Sequence, residues 1–160
     1  MVHRLVWAAG FALIVLTPLA TSRAAPQAIP EGFVIKLERT ACYGRCPVYV
    51  VSIDAKGNVT YDGTRFVKVA GRQTDRVPAS RVAALVATVD RIRFFDLDDK
   101  YRQLITDLPT TFVTVTRDGR TKRIEDYFGA PKSLKDLERQ IDDTAQTARW
   151  IDGDALALRR

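Results

Sequence analysis

Apolar and polar residues alternate through the first part of the chain, and this period of two predicts antiparallel strands. Turn residues separate the alternating segments: Lys56-Gly57-Asn58 predicts a hairpin, and Asp62-Gly63 predicts a second turn. The polar segment 71–77 is interpreted as connecting chain. Four strands are therefore predicted, at 33–37, 48–53, 59–61 and 66–69.

The apolar period lengthens after residue 77 and predicts a helix. Pro78 suits the first turn of a helix, and residues 101–109 form a loop beyond its end. A second helix begins at Pro131, with polar side chains opposite its apolar stripe, and Trp150 and Ile151 dock at its far end. The first stripe comprises Val82, Leu85, Val86, Val89 and Ile92; the second comprises Leu134, Leu137, Ile141, Ala145 and Ala148; the polar residues opposite the second are Lys135, Asp136, Arg139 and Asp142.

Two further strands lie between the helices. Alternating apolar residues over 112–115 lead to Asp118-Gly119, a strong hairpin signal, and the chain returns over 122–127. The order ββββαββα favours an α+β fold, with an antiparallel sheet of about six strands and both helices on one face. We assign 33–151 to one domain.

The amino terminus has the pattern of a cleavable signal peptide. Arg4 precedes an apolar run over 5–16, and Ser22 and Ala24 supply small side chains for cleavage after Ala24. The alternative, an uncleaved anchor, is disfavoured because the run is shorter than the ~20 residues that span a bilayer. We expect an exported protein, periplasmic or extracellular, with a signal peptide at 1–24, a lead-in at 25–32, a tail at 152–160 and no later membrane span.

Charge and histidine content exclude several function classes. The only histidine is His3, in the leader, so the mature chain lacks a histidine base and imidazole ligands. We therefore expect no metal and no cofactor. Loss of Arg4 and Arg23 lowers the net charge from +6 to +4, and acidic residues are interleaved with the basic ones, which argues against binding nucleic acid.

Cys42 and Cys46 form the most distinctive motif. In an oxidising compartment, two nearby cysteines most simply form a structural disulfide, which for so short a ring adds about 2 kcal/mol. A redox dithiol is the alternative, because the charge of Arg45 lowers the pKa of a nearby thiol. Free or metal-bound thiols are the remaining option.

Carboxylates offer a second kind of chemistry. Asp107, in the loop before Pro109, is a candidate acid or base together with Glu125 or Asp126. The simpler interpretation is that Asp107 caps the turn into the next strand by accepting backbone N–H bonds. A candidate recognition surface comprises Tyr43, Arg45, Asp107, Pro109 and Tyr127.

With these motifs in view, the chain resembles the bacterial domain of unknown function 6438 over roughly 33–150. Members of that family are typically small exported proteins or lipoproteins without an assigned activity, and this chain differs in lacking a cysteine for lipid attachment. The segments that carry the resemblance are Cys42-Tyr43-Gly44-Arg45-Cys46-Pro47-Val48-Tyr49, the following Gly-Asn hairpin, Thr106-Asp107-Leu108-Pro109-Thr110-Thr111 and Trp150; further matching positions are Tyr127, Gly129 and Pro131.

Three functions remain open. The leading hypothesis is a non-enzymatic binding module, monomeric, that recognises an unknown protein or envelope ligand through the loops of Cys42 and Asp107. The second is a thiol–disulfide exchange protein of the cell envelope. The third is a carboxylate-dependent hydrolase that acts on an extracellular polymer.

Overall fold

The computed structural model describes residues 28–151. The expected signal peptide at 1–24, the first three residues of the lead-in (25–27) and the tail at 152–160 lie outside the described residues. No helix within 28–151 is long and apolar enough to cross a membrane.

Seven strands and two helices make up the described chain. Short 3-10 turns follow each helix, at Phe94–Asp96 and Thr147–Arg149. The strands are β1 (Val34–Arg39), β2 (Val48–Asp54), β3 (Asn58–Arg65), β4 (Gly71–Arg76), β5 (Lys100–Tyr101), β6 (Thr111–Arg117) and β7 (Arg120–Asp126), and the helices are α1 (Ala79–Arg91) and α2 (Lys132–Ala145).

All seven strands form one sheet in the order β4-β3-β2-β1-β6-β7-β5. Every neighbouring pair is antiparallel except β5 and β7, which run parallel. The predicted α+β class with a mainly antiparallel sheet and two helices is confirmed. The sheet has one strand more than expected because the two-residue β5 is too short to show a period.

The alternation that predicted the strands follows from one-sided burial. Side chains at every second position of β1, β2 and β6 are buried, except at the terminal Arg39 and Arg117, and those between them are half-buried or exposed. The buried faces of the sheet and helices form one core, to which each fully buried large aliphatic side chain contributes about 1.5–3 kcal/mol. Its centre includes Ile35, Leu37, Val51, Ile53, Val113, Val115, Leu85, Val89, Leu134, Leu137 and Ile141.

The predicted turn at Asp62-Gly63 and the predicted strand at 66–69 are wrong. Both turn residues lie inside β3, and β4 is the polar segment that was interpreted as connecting chain. The amides of Lys68 and Val69 instead donate to the Trp150 carbonyl, at 2.9 and 3.0 Å. Glycine at position 63 lets β3 and the chain that follows it approach closely, since a Cβ there would lie 2.7 Å from the Val69 carbonyl oxygen.

The first helix stripe is correct, since Ile92, the residue just after α1, still packs against the core. The second stripe is wrong at its end, because Ala148 lies in the 3-10 turn after α2 and is exposed. Asp142 was expected opposite the apolar stripe of α2, but it is only 3% exposed. Its burial follows from the charged and hydroxyl partners described below.

Candidate functional site

Two loops meet at one end of the sheet, which we call the loop end. The cysteine loop (40–47) joins β1 to β2, and the Asp107 loop (102–110) joins β5 to β6. Because β1 and β6 are antiparallel neighbours, with Arg39 opposite Thr111, one loop leaves the sheet where the other enters it.

A disulfide between Cys42 and Cys46 closes the cysteine loop, with 5.7 Å between their Cα atoms. Cys46 is buried, while Cys42 is half-buried. The Gly44 amide donates to the Cys42 carbonyl at 2.9 Å, which tightens the ring further. Between the cysteines the loop exposes Tyr43, 89% accessible, and Arg45.

The hydroxyl of Tyr127 holds the Asp107 loop from both sides. It donates to the Ile105 carbonyl at 2.7 Å and accepts the Leu108 amide at 3.3 Å. The guanidinium of Arg102 lies 5.4 Å from the centre of the same ring. Tyr127 therefore supports the Asp107 loop.

Asp107 has a left-handed backbone, with φ of +75°. Its carboxylate is exposed and accepts a hydrogen bond from the Thr106 hydroxyl at 3.1 Å. The amide of Leu108 binds the Tyr127 hydroxyl rather than that carboxylate. The expected capping role of Asp107 is thus replaced by a backbone role at a strained turn.

Direct hydrogen bonds join the two loops. The Thr40 amide and hydroxyl both donate to the Thr110 carbonyl, at 3.0 and 3.1 Å, and the Thr110 amide returns a bond of 2.9 Å to the Thr40 hydroxyl. Further out, the Tyr43 amide donates to the Asp107 carbonyl at 3.4 Å. The loops therefore form one continuous surface.

This surface gathers the large apolar side chains that remain exposed. Within the described chain, the one other exposed side chain of this kind is Val34, at the opposite end of β1. Pro109, also exposed, lies among them and lines a pocket of about 400 Å³ between the Asp107 loop and α2. The exposed apolar side chains at the loop end are Tyr43, Leu104, Ile105, Leu108 and Phe128.

A buried polar network lies directly beneath the loop end. Arg39, the last residue of β1, forms an ion pair of 2.9 Å with Asp142 of α2 and donates to the Thr111 hydroxyl at 3.1 Å. Asp142 also accepts bonds of 2.7 Å from the hydroxyls of Tyr49 and Thr147. Burial lowers the pKa of Arg39, but the charge and hydrogen bond of Asp142, together with smaller contributions from Tyr49 and Glu138, outweigh burial and raise that pKa overall.

Two buried carboxyl groups form the other half of this network. Asp126, at the end of β7, accepts a charged hydrogen bond from Lys135, and Glu138 lies beside it on α2. Asp126 Oδ1 and Glu138 Oε1 are shielded from solvent and receive no other donor, so a proton between the two groups satisfies them. Burial is the main cause that raises the pKa of Glu138, and the charge of Asp126 adds to it. The charge of Arg39 lowers this pKa, but the net result is a rise to about 8.

The three carboxylates that the sequence offered as an acid–base pair lie in different surroundings in the structure. Asp126 is paired with Glu138 in the interior, Glu125 forms an ion pair of 3.0 Å with Arg102, and Asp107 is exposed on its loop. Within 28–151 no group of three or more Cys, His, Asp or Glu side chains is arranged to hold a metal ion.

A family model described as Domain of unknown function (DUF6438) matches residues 33–145. The chain belongs to this family. The DUF6438 match covers both loops and the whole sheet and ends with α2, just before the 3-10 turn that carries Thr147 to the network. No curated protein matches the chain.

Sequence reasoning missed the residues of the buried network. Glu138 and Asp142 are charged residues on an amphipathic helix, and such residues ordinarily face water. One signal was available in the sequence: Glu138 and Asp142 are four residues apart, and each directly follows a residue of the apolar stripe, Leu137 or Ile141. That spacing puts them on the border of the buried face.

Proposed function

We propose that this protein is an exported binding module that recognises a protein partner through the loop end. One observation carries the proposal: most of the exposed large apolar side chains lie on two loops that are hydrogen-bonded to each other, and Phe128 lies in the adjoining connection after β7. Exposed apolar clusters on a soluble domain mark interaction sites. Tyr and Arg, here Tyr43 and Arg45, are the residue types enriched in protein interfaces.

Contacts within the chain also hold both loops of the loop end. The disulfide fixes the cysteine loop, Tyr127 fixes the Asp107 loop, and Thr40 with Thr110 joins them. A surface that is already ordered loses less conformational entropy on binding. This rigidity supports a recognition role over a merely solvated loop.

Export is supported by the leader pattern at 1–24 and by the disulfide, which is typical of oxidising compartments. The test is the amino-terminal mass of protein recovered from the cell envelope or medium. We expect a mature chain that begins at Ala25. A full-length chain recovered from the cytoplasm with reduced Cys42 and Cys46 would refute export.

Site-specific photocrosslinking in the producing cell tests the binding role. We place a photoreactive phenylalanine at Tyr43 or at Leu108 and, as a matched control, at the exposed Lys56 on the hairpin at the opposite end of the sheet. The expected result is one shared adduct from both loop positions and none from Lys56. Excess wild-type protein should reduce the yield of the adduct by competing for the partner, while a folded Tyr43→Ser/Leu108→Ser variant should not reduce it.

Two results would overturn the proposal. The first is the absence of an adduct from both loop positions. The second is the same adduct pattern from Lys56, which would indicate contact without a defined surface.

Thiol–disulfide exchange is the second candidate, favoured by the half-exposed Cys42 at the tip of the sheet. An attacking thiolate must reach one sulfur of the bond, and Cys42 is the accessible side because Cys46 is buried. The redox titration described in the Discussion separates this candidate from the binding module.

A further inference from the structure

Arginines stacked on aromatic rings are frequent in this fold. Within 28–151 six arginines lie over a ring, and three of them also form an ion pair with a carboxylate of the same chain. In these three, the guanidinium lies over a ring while its N–H groups bind an acid. The three complete pairs are Arg102 with Glu125, Arg123 with Glu38, and Arg149 with Asp75.

Phe66 is the exception, because two guanidinium groups stack on its single ring. Arg45 of the cysteine loop lies 5.4 Å from the ring centre, and Arg65 at the end of β3 lies 5.2 Å from it. Among residues 28–151 no carboxylate lies within ion-pair distance of either guanidinium. We call these three residues the basic corner.

The backbone holds Phe66 in this position against its own preference. Its φ is +52°, in the left-handed region that a bulky side chain rarely adopts. The amides of Lys68 and Val69 bond to the Trp150 carbonyl and anchor the connection that carries the ring. Like charges repel, so a fold that brings two arginines to one strained ring leaves a position that favours an anion.

We propose that the basic corner binds an acidic segment of the protein partner, with Arg45 and Arg65 supplying N–H donors to its carboxylates. This inference rests on the proposed binding function and specifies the chemistry of the partner. Neither guanidinium is paired with a carboxylate of the described chain, so the N–H groups of both are available for the bidentate bonds that suit carboxylates. Tyr43, exposed two residues before Arg45, makes the corner continuous with the apolar surface, which favours a protein over a free anion.

The test is fluorescence anisotropy of the purified protein with a labelled peptide that alternates glutamate and leucine, and with its twin that carries glutamine for glutamate. We expect tight binding of the acidic peptide only, weakened by added salt. Arg45→Ala and Arg65→Ala should each weaken binding by up to about fivefold, the range for exposed charge pairs, and the double variant on the order of tenfold. Circular dichroism confirms that each variant is folded.

Arg120→Ala is the matched control. Arg120 also stacks on a ring, 4.9 Å from the centre of Phe95, and has no carboxylate partner among the described residues, but it lies at the opposite end of the sheet. Its substitution removes the same charge and should leave the affinity unchanged. Equal binding of the glutamine peptide, or an equal loss in Arg120→Ala, would overturn the assignment.

Two further arms separate the possible failures. Binding to phosphatidylglycerol vesicles through Arg45 and Arg65, without binding of the acidic peptide, would overturn the proposal in favour of a membrane surface. If the Tyr43 adduct forms equally in Arg45→Ala/Arg65→Ala, the acidic contact is refuted while the binding function stands. If wild-type protein gives no adduct from either Tyr43 or Leu108, the binding function itself fails.

Discussion

Glu138 is buried beside a second carboxyl group, and its replacement by glutamine tests the network beneath the loop end. Burial raises its pKa from 4.5 to about 8, and the Asp126 charge and hydrogen bond add to this effect, while Arg39 and Lys135 oppose it. The folded protein therefore keeps a proton on Glu138 at neutral pH, whereas the unfolded chain has released it. Unfolding releases that proton, so a rise in pH favours the unfolded state.

The magnitude follows from the two pKa values. The stabilising contribution is fully present below about pH 4.5 and is lost as pH rises through about 8. Between pH 5 and pH 8 the free energy of unfolding should fall by about 3 kcal/mol through this group alone. Glutamine keeps the shape and still donates a hydrogen bond to Asp126, but it has no proton to lose.

Urea unfolding across this pH range is the assay, with two-state behaviour checked by coincident probes. Glu138→Gln should match the wild type near pH 5 and exceed it by about 3 kcal/mol near pH 8. Asp143→Asn, which removes an exposed carboxylate from the same helix, should follow the wild-type curve. Parallel curves for the wild type and Glu138→Gln would refute the shared-proton interpretation.

Three further predictions concern the loops and the sheet. Replacing Cys42 and Cys46 by serine should lower the free energy of unfolding by about 2 kcal/mol in urea, and thiol labelling should give the bond a reduction potential below about −300 mV; a higher value would favour the redox candidate. Gly63→Ala should cost about 1–3 kcal/mol in the same assay because its Cβ meets the chain that follows β3; an unchanged midpoint would contradict this. Tyr127→Phe should cost about 1 kcal/mol and speed hydrogen exchange at the Leu108 amide, and unchanged exchange would show that the hydroxyl does not hold the loop.

Alternation was informative where a strand buries one face and exposes the other. It predicted β1, β2 and β6 because each has every second residue in the core. It failed at β4, an edge strand with no buried side chain, whose polar residues carry no period of two. The apolar residues Val67 and Val69 pack on the core without joining the sheet, because Trp150, far along the chain, binds the amides of this connection.

The candidate site, too, could be predicted from the sequence only in part. Local signals identified the cysteine loop and the Asp107 loop as turns with unusual chemistry, and both lie at the surface. Their contact depends on the pairing of β1 with β6, which are separated by most of the sheet and one helix in the sequence. No short pattern encodes that pairing, so the joint surface and the network of Arg39, Asp142 and Glu138 beneath it emerge only from the fold.

The location of that network bears on what it does. A buried ion pair is weak evidence for stability, since apolar residues of similar volume often serve as well. Arg39, however, connects the end of β1, where the cysteine loop begins, to the first residue of β6, where the Asp107 loop ends, and it ties both strands to α2. Its bonds are directional, whereas apolar packing would let these elements slide relative to one another. The network therefore fixes the geometry at the base of the loop end, which is where a recognition surface requires it.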